Sequence, residues 1–307
     1  MEEAIRVDGL VKRFGSLTAV DHVSFSVQRG EIFGILGPNG AGKTTTLEII
    51  EGLQPPTQGS VSVLGLDVLR HPAQVKAKIG VQLQSSAYFD YLTLREILSL
   101  LSSFYPKRVA PSELLERVGL LDKASSHVNQ LSGGQKQRFT VAASLVNDPE
   151  LVILDEPTTG LDPQSRRNLW GLIREIHQRN GTVVLTTHYM EEAEALCDRL
   201  AIMDRGRLVA VDTPKNLIDQ LEATYTVKLT MGDPLTVAQM ASLNGGVEFV
   251  QSLEGNVYLL RLKNTPAALS AVLDEIARNG VNLERLEITP VTLEDVFLEM
   301  TGNELQE

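Results

Sequence analysis

Gly37-Pro38-Asn39-Gly40-Ala41-Gly42-Lys43-Thr44 has the form G-x-x-x-x-G-K-T, and the apolar run Glu31-Ile32-Phe33-Gly34-Ile35-Leu36 leads straight into it. A run of that length ending in Gly-Pro reads as a buried parallel strand. Thr45-Thr46-Leu47-Glu48-Ile49-Ile50 then reads as the opening of a helix. Strand, glycine-rich loop and helix are the setting a phosphate-binding loop needs. Glycines let successive N–H groups turn inward on a phosphate, and the helix N-terminus adds its positive end. Lys43 would bring a full charge to the β- and γ-phosphates, and the Thr44 hydroxyl a ligand to Mg²⁺. The loop by itself also reads as an ordinary glycine-rich turn before a helix, so the rest of the chain has to complete the site.

Downstream, Leu151-Val152-Ile153-Leu154-Asp155-Glu156-Pro157 delivers two adjacent carboxylates at the end of four aliphatic residues. Such a run reads as a buried parallel strand, and ligands bind at the carboxyl edge of open α/β sheets. Asp155 suits a Mg²⁺ ion held through its water shell. Glu156, whose side chain points the other way along a strand, suits the group that orients or deprotonates a water. Two acids there are costly to desolvate unless a cation compensates. Val183-Val184-Leu185-Thr186-Thr187-His188 repeats the pattern, which puts His188 at the same edge as a γ-phosphate contact. Glu156, His188 and Lys43 are thus the candidate catalytic set.

Two further stretches are ambiguous from the residues. Leu131-Ser132-Gly133-Gly134-Gln135-Lys136-Gln137-Arg138 heads a helical pattern from Phe139 to Leu145. It reads equally as a second anion-binding helix N-terminus and as an N-cap with a tight turn. Phe14, before a glycine turn, could pack in the core or offer its ring face to a base; position alone favours the core. Ile5–Gly15 and Val20–Val27 alternate as strands, and Asp204-Arg205-Gly206 reads as a hairpin turn between Leu200–Met203 and Arg207–Ala210. Between about 85 and 145 the pattern turns helical, with Leu94, Ile97, Leu98, Leu101 and Phe104 on one face. A helical subdomain is therefore inserted into the α/β domain.

Composition sets the outer bounds. The 307 residues allow one large or two ordinary domains, and 43% hydrophobic with 22% charged residues is ordinary for a globular protein. A net charge of −11 argues against a nucleic-acid partner, which needs clustered Lys and Arg. Cys197, the single cysteine, excludes an intrachain disulfide and a thiolate zinc cluster and suits a reducing compartment. Met1-Glu2-Glu3-Ala4 carries no signal pattern, and no apolar run approaches the ~20 residues of a membrane span, so the chain is not expected to cross a membrane by itself.

Taken together these residues resemble the ATP-binding cassette of ABC transporters, and the resemblance covers about residues 1–222. Gly37–Thr44, Gln84, the Leu-Ser-Gly-Gly-Gln signature at 131–135, Leu154-Asp155-Glu156, Thr159-Gly160-Leu161-Asp162 and His188 stand in that family's order. The resemblance implies a P-loop NTPase fold and an ATPase with ATP and Mg²⁺ as ligands. It makes Gly37, Pro38, Asn39, Gly40, Ala41, Gly42, Lys43, Thr44 and Thr45 the ATP-binding loop. It also implies Phe14 stacked on adenine, Gln84 linking Mg²⁺ and water to a membrane partner, and metal contacts by Thr44, Gln84 and Asp155. Ser132, Gly133, Gly134, Gln135 and Asp162 would contact ATP held by a second copy, in a dimer that sandwiches two nucleotides. Leu83 replaces a proline common before the family's glutamine.

Residues 223–307 read as a separate α+β unit. Tyr225–Met231, Val247–Leu253, Val257–Leu262 and Asn282–Ile288 read as strands, with Glu254-Gly255-Asn256 as a hairpin turn. Val237–Ser242 reads as a short helix and Ala267–Arg278 as a second. This β-α-β-β-α-β order is ferredoxin-like. Thr292-Leu293-Glu294-Asp295 reads as a capping box before Val296–Met300. Pro290–Gly302 resembles the C-terminal end of bacterial ABC-2-type ATPases, the group that contains daunorubicin- and multidrug-resistance exporters. That resemblance implies a separately encoded ABC-2-type permease, attachment at the cytoplasmic face of the membrane, and export of a drug, antibiotic or other amphiphile. The alternatives are an importer, an exporter of sodium, lipid or polysaccharide, or an ABC ATPase outside transport. Tyr88, Phe89 and Tyr91 read equally as a permease-docking surface and as core rings.

Overall fold

The computed structural model describes residues 2–83, 88–179, 181–221, 225–236, 247–252, 256–262, 266–278 and 282–301. In the first part of the chain the elements begin with β1 (Glu3–Phe14), β2 (Leu17–Gln28), β3 (Ile32–Leu36) and α1 (Lys43–Ile50). They continue with β4 (Gln58–Val63), β5 (Leu66–Asp67), α2 (Pro72–Lys78) and β6 (Ile79–Gln82). Three helices follow: α3 (Leu94–Ser103), α4 (Pro111–Arg117) and α5 (Gly133–Ser144). Then come β7 (Leu151–Asp155), α6 (Pro163–Gln178), β8 (Thr182–Thr187), α7 (Met190–Leu196), β9 (Arg199–Asp204), β10 (Arg207–Asp212) and α8 (Pro214–Asp219).

β3 and β7 are each five residues long and buried throughout, because aliphatic side chains on both strand faces require cover on both sides. They belong to a six-stranded sheet of order β10-β9-β3-β8-β7-β6. Its inner pairings are parallel, and only the β9–β10 hairpin is antiparallel. Parallel pairing brings the carboxyl ends of β3, β7 and β8 to one edge, with Leu36 opposite Thr187 and Asp155 opposite Thr186. A second, antiparallel sheet of order β2-β1-β4-β5 shares the hydrophobic core, in which Val7, Val23, Val61, Phe33, Leu47 and Ile153 pack together. The hairpin turn at Asp204–Arg207 has φ of 46° at Arg205 and 79° at Gly206, the left-handed pair that a two-residue turn requires.

Helices α3, α4 and α5 form the inserted helical part. α3 opens on a complete capping box, Thr93 with Glu96, and buries Leu94, Ile97 and Leu98. Phe104, read from the sequence as part of that apolar face, is the C-cap of α3 and lies exposed. The helix has turned past its buried stripe by that residue.

The chain divides into two compact units at Pro214 and Lys215, so the cut falls within α8, just before the sequence-based boundary at 222. The second unit contains β11 (Tyr225–Met231), β12 (Val247–Ser252), β13 (Val257–Leu262), α9 (Pro266–Arg278), β14 (Leu283–Pro290) and α10 (Leu293–Thr301). Its four strands are all antiparallel in the order β12-β13-β11-β14. β13 lies between β11 and β12, and β11 lies between β13 and β14, the split arrangement of a ferredoxin-like sheet, while β12 and β13 pair directly. The short helix expected at Val237–Ser242 and most of the hairpin turn at Glu254-Gly255-Asn256 lie outside the described residues.

One side chain in this unit has no counterpart in the sequence reading. Arg261 sits on β13 at 1% exposure, where strand alternation marks it simply as polar. Its Nε donates to Asp295 Oδ1 at 3.3 Å and its Nη2 to the Asp295 carbonyl at 2.9 Å. Thr226 Oγ1 donates to the same Asp295 oxygen at 3.0 Å, while Asp295 Oδ2 accepts from the Thr292 N–H at 2.9 Å. Asp295 therefore caps α10 and clamps it to β11 and β13 at once. Removing one partner strands a buried charge, so Asp295→Ala should destabilise this unit by about 3–5 kcal/mol. Glu299, 56% exposed and also paired with Arg261, should cost under about 1 kcal/mol when changed to Ala. Urea unfolding of the full chain, followed by a probe in the second unit, checks both.

Candidate active site

The loop between β3 and α1 is shaped by two glycines whose hydrogen atoms are the only side chains that fit. A Cβ on Gly37 would lie 2.2 Å from the Met203 carbonyl oxygen. Gly42 has φ of 97°, and a Cβ there would lie 2.4 Å from the Ala19 carbonyl oxygen. Pro38 is half-buried, Asn39 and Gly40 are exposed, and Ala41 is buried and pinned by hydrogen bonds to Pro38 and Gly206. Thr44 and Thr45 lie half-buried in the first turn of α1, where helix N–H groups are unpaired and the dipole is positive.

Lys43 points back into this loop, its Nζ donating to the Gly37 carbonyl at 2.8 Å and the Pro38 carbonyl at 3.1 Å. The same Nζ stands 3.3 Å from Glu156 Oε1, and both side chains are buried. Burial pushes the Lys43 ammonium down in pKa, against the pull of Glu156 and Asp155. For Glu156, burial pushes the carboxyl up, but Lys43 and His188 beside it outweigh burial and hold it below the usual range. The pair keeps its charges inside the protein by sharing them.

Glu156 is not on the strand, as its expected alternation with Asp155 required. β7 ends at Asp155, and Glu156 has φ of 45°, in the left-handed region that non-glycine residues avoid. That backbone turn brings its carboxylate to both Lys43 and His188. His188 Nδ1 lies 3.3 Å from Glu156 Oε2 without the alignment of a hydrogen bond. Thr159 Oγ1 donates to Glu156 Oε2 at 3.1 Å, and the Glu156 N–H donates to Thr186 Oγ1 at 2.9 Å. Asp155 Oδ1 accepts from the Thr186 hydroxyl and, at 3.4 Å, from Thr44 Oγ1. The structure thus brings Lys43, Thr44, Asp155, Glu156 and His188 to one sheet edge. Thr44 and Asp155 offer neighbouring hard oxygen donors, which fits Mg²⁺; that ion takes one or two protein oxygens together with phosphates.

The other expected site residues stand apart from this cluster. Phe14 is 46% exposed, not core, with the Lys12 ammonium 4.9 Å from its ring centroid. It is the last residue of β1, beside the Gly15-Ser16 turn to β2, where the strand's end leaves the ring partly in solvent. Ser132 is the N-cap of α5, its Oγ accepting from the Gln135 N–H at 3.4 Å and the Gln135 amide oxygen accepting from the Ser132 N–H at 3.0 Å. Ser132 and Gly133 are exposed, and Gly134 packs against Ser165 of α6. Asp162 is the exposed N-cap of α6; hydrogen bonds from Ser165 and Gln164 hold its carboxyl below the usual range. Gln84 lies outside the described residues. Phe89 and Tyr91 are 66% and 94% exposed, whereas Tyr88 is half-buried edge-on to Phe139.

The sequence reading missed Glu51, at the C-cap of α1. It is 3% exposed, and burial, with Asp155 and Glu48 adding repulsion, pushes its carboxyl up to about 8. It lines a cleft of about 270 Å³ with Lys76, Gly80, Leu83, Tyr105 and Asn147. An acid at the end of an amphipathic helix reads as surface, so nothing in the sequence marks it.

A glycine-rich loop, a buried lysine and paired acids at the carboxyl edge of a parallel sheet define a P-loop nucleotide-binding protein. Comparison narrows this further. The ABC transporter family matches residues 20–159, and the C-terminal domain of DrrA1-3-like ATP-binding proteins matches residues 218–301. The chain is 36% identical to the linearmycin resistance ATP-binding protein LnrL of Bacillus subtilis (strain 168), across 99% of this chain and 100% of that protein. It is 39% identical to the Nod factor export ATP-binding protein I of Burkholderia lata, across 96% of each. Among solved structures, an ATP-binding subunit of an ABC transporter aligns with TM-score 0.64 and 30% identity, over 71% of this chain and 92% of that one. An ATP-binding cassette solved as a dimer bound to ADP and Pi aligns with TM-score 0.62 and 28% identity, over 68% and 98%. The chain belongs to the ABC transporter ATP-binding proteins, carries a DrrA1-3-like C-terminal domain, and is an ATPase that drives an exporter. Its relatives imply a membrane permease as partner, and among the described residues no helix is long and apolar enough to cross a membrane.

Glu51 sets a pH dependence of stability. Its pKa of about 8 lies above the ordinary 4.5, so the folded state binds the extra proton between these values. Stability from this group is fully present below pH 4.5 and is lost as pH rises through about 8. Glu51→Gln should therefore be more stable than wild type at pH 8.5, by roughly 4–5 kcal/mol, and by under about 1 kcal/mol at pH 5. Urea unfolding at the two pH values measures it.

Proposed function

We propose that this chain is the ATP-hydrolysing subunit of an ABC-2-type exporter, attached at the cytoplasmic face of the membrane to a separately encoded permease. Two cassettes, two copies of this chain or this chain and a paralogue, close on two ATP molecules. The cargo class is a drug, antibiotic or other amphiphile. The DrrA1-3-like tail and the relatives concerned with linearmycin resistance and Nod factor export support that class.

The observation that carries the reading is the approach of Glu156 to both Lys43 and His188 at 3.3 Å. Lys43 binds the β- and γ-phosphates and offsets charge on the phosphoryl group in flight. Glu156 orients a water and accepts its proton as the water oxygen bonds to the γ-phosphorus and the bond to the β-phosphate oxygen breaks. Its lowered proton affinity keeps it ionised and ready to accept. His188 holds the γ-phosphate and that water in line. Thr44 and Asp155, with Gln84, would hold Mg²⁺, which would neutralise phosphate charge. The exposed N-terminus of α5, with Ser132, Gly133, Gly134 and Gln135, meets the γ-phosphate of the opposite cassette, and Asp162 lies at that junction. Phe14 stacks on adenine. Phe89 and Tyr91 are exposed aromatic side chains of the kind a permease contact buries.

Glu156→Gln should retain ATP binding within a factor of a few, lose at least about 10²-fold in turnover, and accumulate as an ATP-bound dimer. Phosphate release, a fluorescent-nucleotide titration and sedimentation velocity test this; turnover near wild type would remove Glu156 from the role. Phe14→Ala should weaken nucleotide binding by about 1–3 kcal/mol and leave the dimer's turnover at saturating ATP nearly unchanged. For the partner, replacing Phe89 and Tyr91 by Ala should release a co-purifying polytopic membrane protein from the detergent-extracted complex. A complex that survives both replacements would move the docking site elsewhere.

A further inference from the structure

We propose that Glu192 is a positioning residue for ATP hydrolysis, its buried carboxyl joining the loop that follows Glu156 to the strand end that carries His188. The proposal rests on the reading of Glu156 and His188 given above. Glu192 lies in α7 with 0% exposure, although it is charged in type and no metal-ligand group of three or more acids, His or Cys occurs among the described residues. Trp170 Nε1, from α6, donates to its Oε1 at 2.9 Å. Burial pushes its carboxyl up, while Thr187, Trp170 and Thr158 around it pull the other way.

The neighbours are what make this acid more than packing. Thr158 precedes Thr159, whose hydroxyl donates to Glu156. Thr187 precedes His188, and its carbonyl accepts from the Gly37 N–H at 3.3 Å, at the start of the phosphate loop. Thr187 Oγ1 also accepts from the Tyr189 N–H at 2.9 Å, fixing the turn out of β8. Thr158 and Thr187 are buried at 0% and 1% exposure and both neighbour the carboxyl, one residue before Thr159 and His188, the two contacts of Glu156. Glu192 Oε2 and Thr158 Oγ1 are both buried without an aligned hydrogen bond among the described residues. Arg166, which ion-pairs with Glu191 at 3.9 Å and lies 4.2 Å over the Tyr189 ring, is the cation facing this cluster. A protonated Glu192 accepts from Trp170 through Oε1 and can donate through Oε2 toward the threonines. A small rearrangement there passes to Glu156 and His188 together. Misplacement of reacting groups by about 1 Å is worth on the order of 10²-fold in rate.

A neutral acid is mimicked by glutamine, which also has one acceptor oxygen and a donor on the other branch. With full-length protein and ATP, Glu192→Gln should keep kcat within about threefold of wild type. Glu192→Leu should lose about 10²-fold in kcat while its nucleotide Kd stays within about threefold. Thr158→Val should lower kcat in the same direction, and the double variant Thr158→Val with Glu192→Leu should be no slower than Glu192→Leu. A glutamine variant as slow as the leucine variant would overturn the proposal, because an ionised carboxylate would then be required. Equal losses of kcat and nucleotide affinity in Glu192→Leu, or additive losses in the double variant, would also overturn it as a purely structural role. Glu156→Gln run alongside separates the cases: if that variant turns over normally, the reading of the site fails first.

Discussion

A lysine and a glutamate, both withdrawn from water at the carboxyl edge of a parallel sheet, set the terms for the rest of the first unit. Either charge alone would cost several kcal/mol in that position. At 3.3 Å each is the other's compensation, and the Gly37 and Pro38 carbonyls complete the lysine's hydrogen bonds. The phosphate loop curls so that Lys43 reaches its own loop carbonyls, and it runs so close to the Met203 and Ala19 carbonyls that Gly37 and Gly42 have room for no Cβ. The chain must also leave β7 abruptly at Asp155, which is why Glu156 adopts a left-handed backbone. Strain of this kind persists where surrounding structure over-determines it, and Thr159, Thr186, Lys43 and His188 do so here.

That arrangement also divides labour between adjacent acids. Asp155 stays in the strand, where its Oδ1 accepts from the Thr186 and Thr44 hydroxyls and Lys43 is close enough to feel its charge. Glu156 leaves the strand and faces Lys43 and His188, which lower its proton affinity without removing its lone pairs. Two residues one bond apart thus occupy different electrostatic environments because the backbone turns between them.

The second unit rests on a buried pair of its own. Arg261 and Asp295 fasten the last described helix to the central strands, with Thr226 and Thr292 completing the carboxylate's hydrogen bonds. The capping box at Thr292 was legible, since a Thr followed three residues later by an acid is a local signal. The arginine was not, because a polar residue on a strand is ordinarily assigned to the wet face. Similar reasons hid Glu51 and Glu192: both are acids on helices, and only the packing of other elements over those helices buries them. Phe14 shows the opposite error, an aromatic assigned by position to the core that the strand's end leaves in solvent.

Local segments of the chain encode the parallel strand, glycine loop and helix around Lys43, the paired acids after a four-aliphatic run, and the strands of the second unit. Each of these follows from local chemistry: the period of apolar residues, the conformational freedom of glycine and the capping of helix ends. Packing between distant segments sets which way Glu156 faces and brings Glu192 beside both Thr158 and Thr187. Those facts depend on the register of β7 against β8 and on helices packed across the sheet. Proximity across a sheet is set by strand order, and strand order is not written in any one segment of the chain.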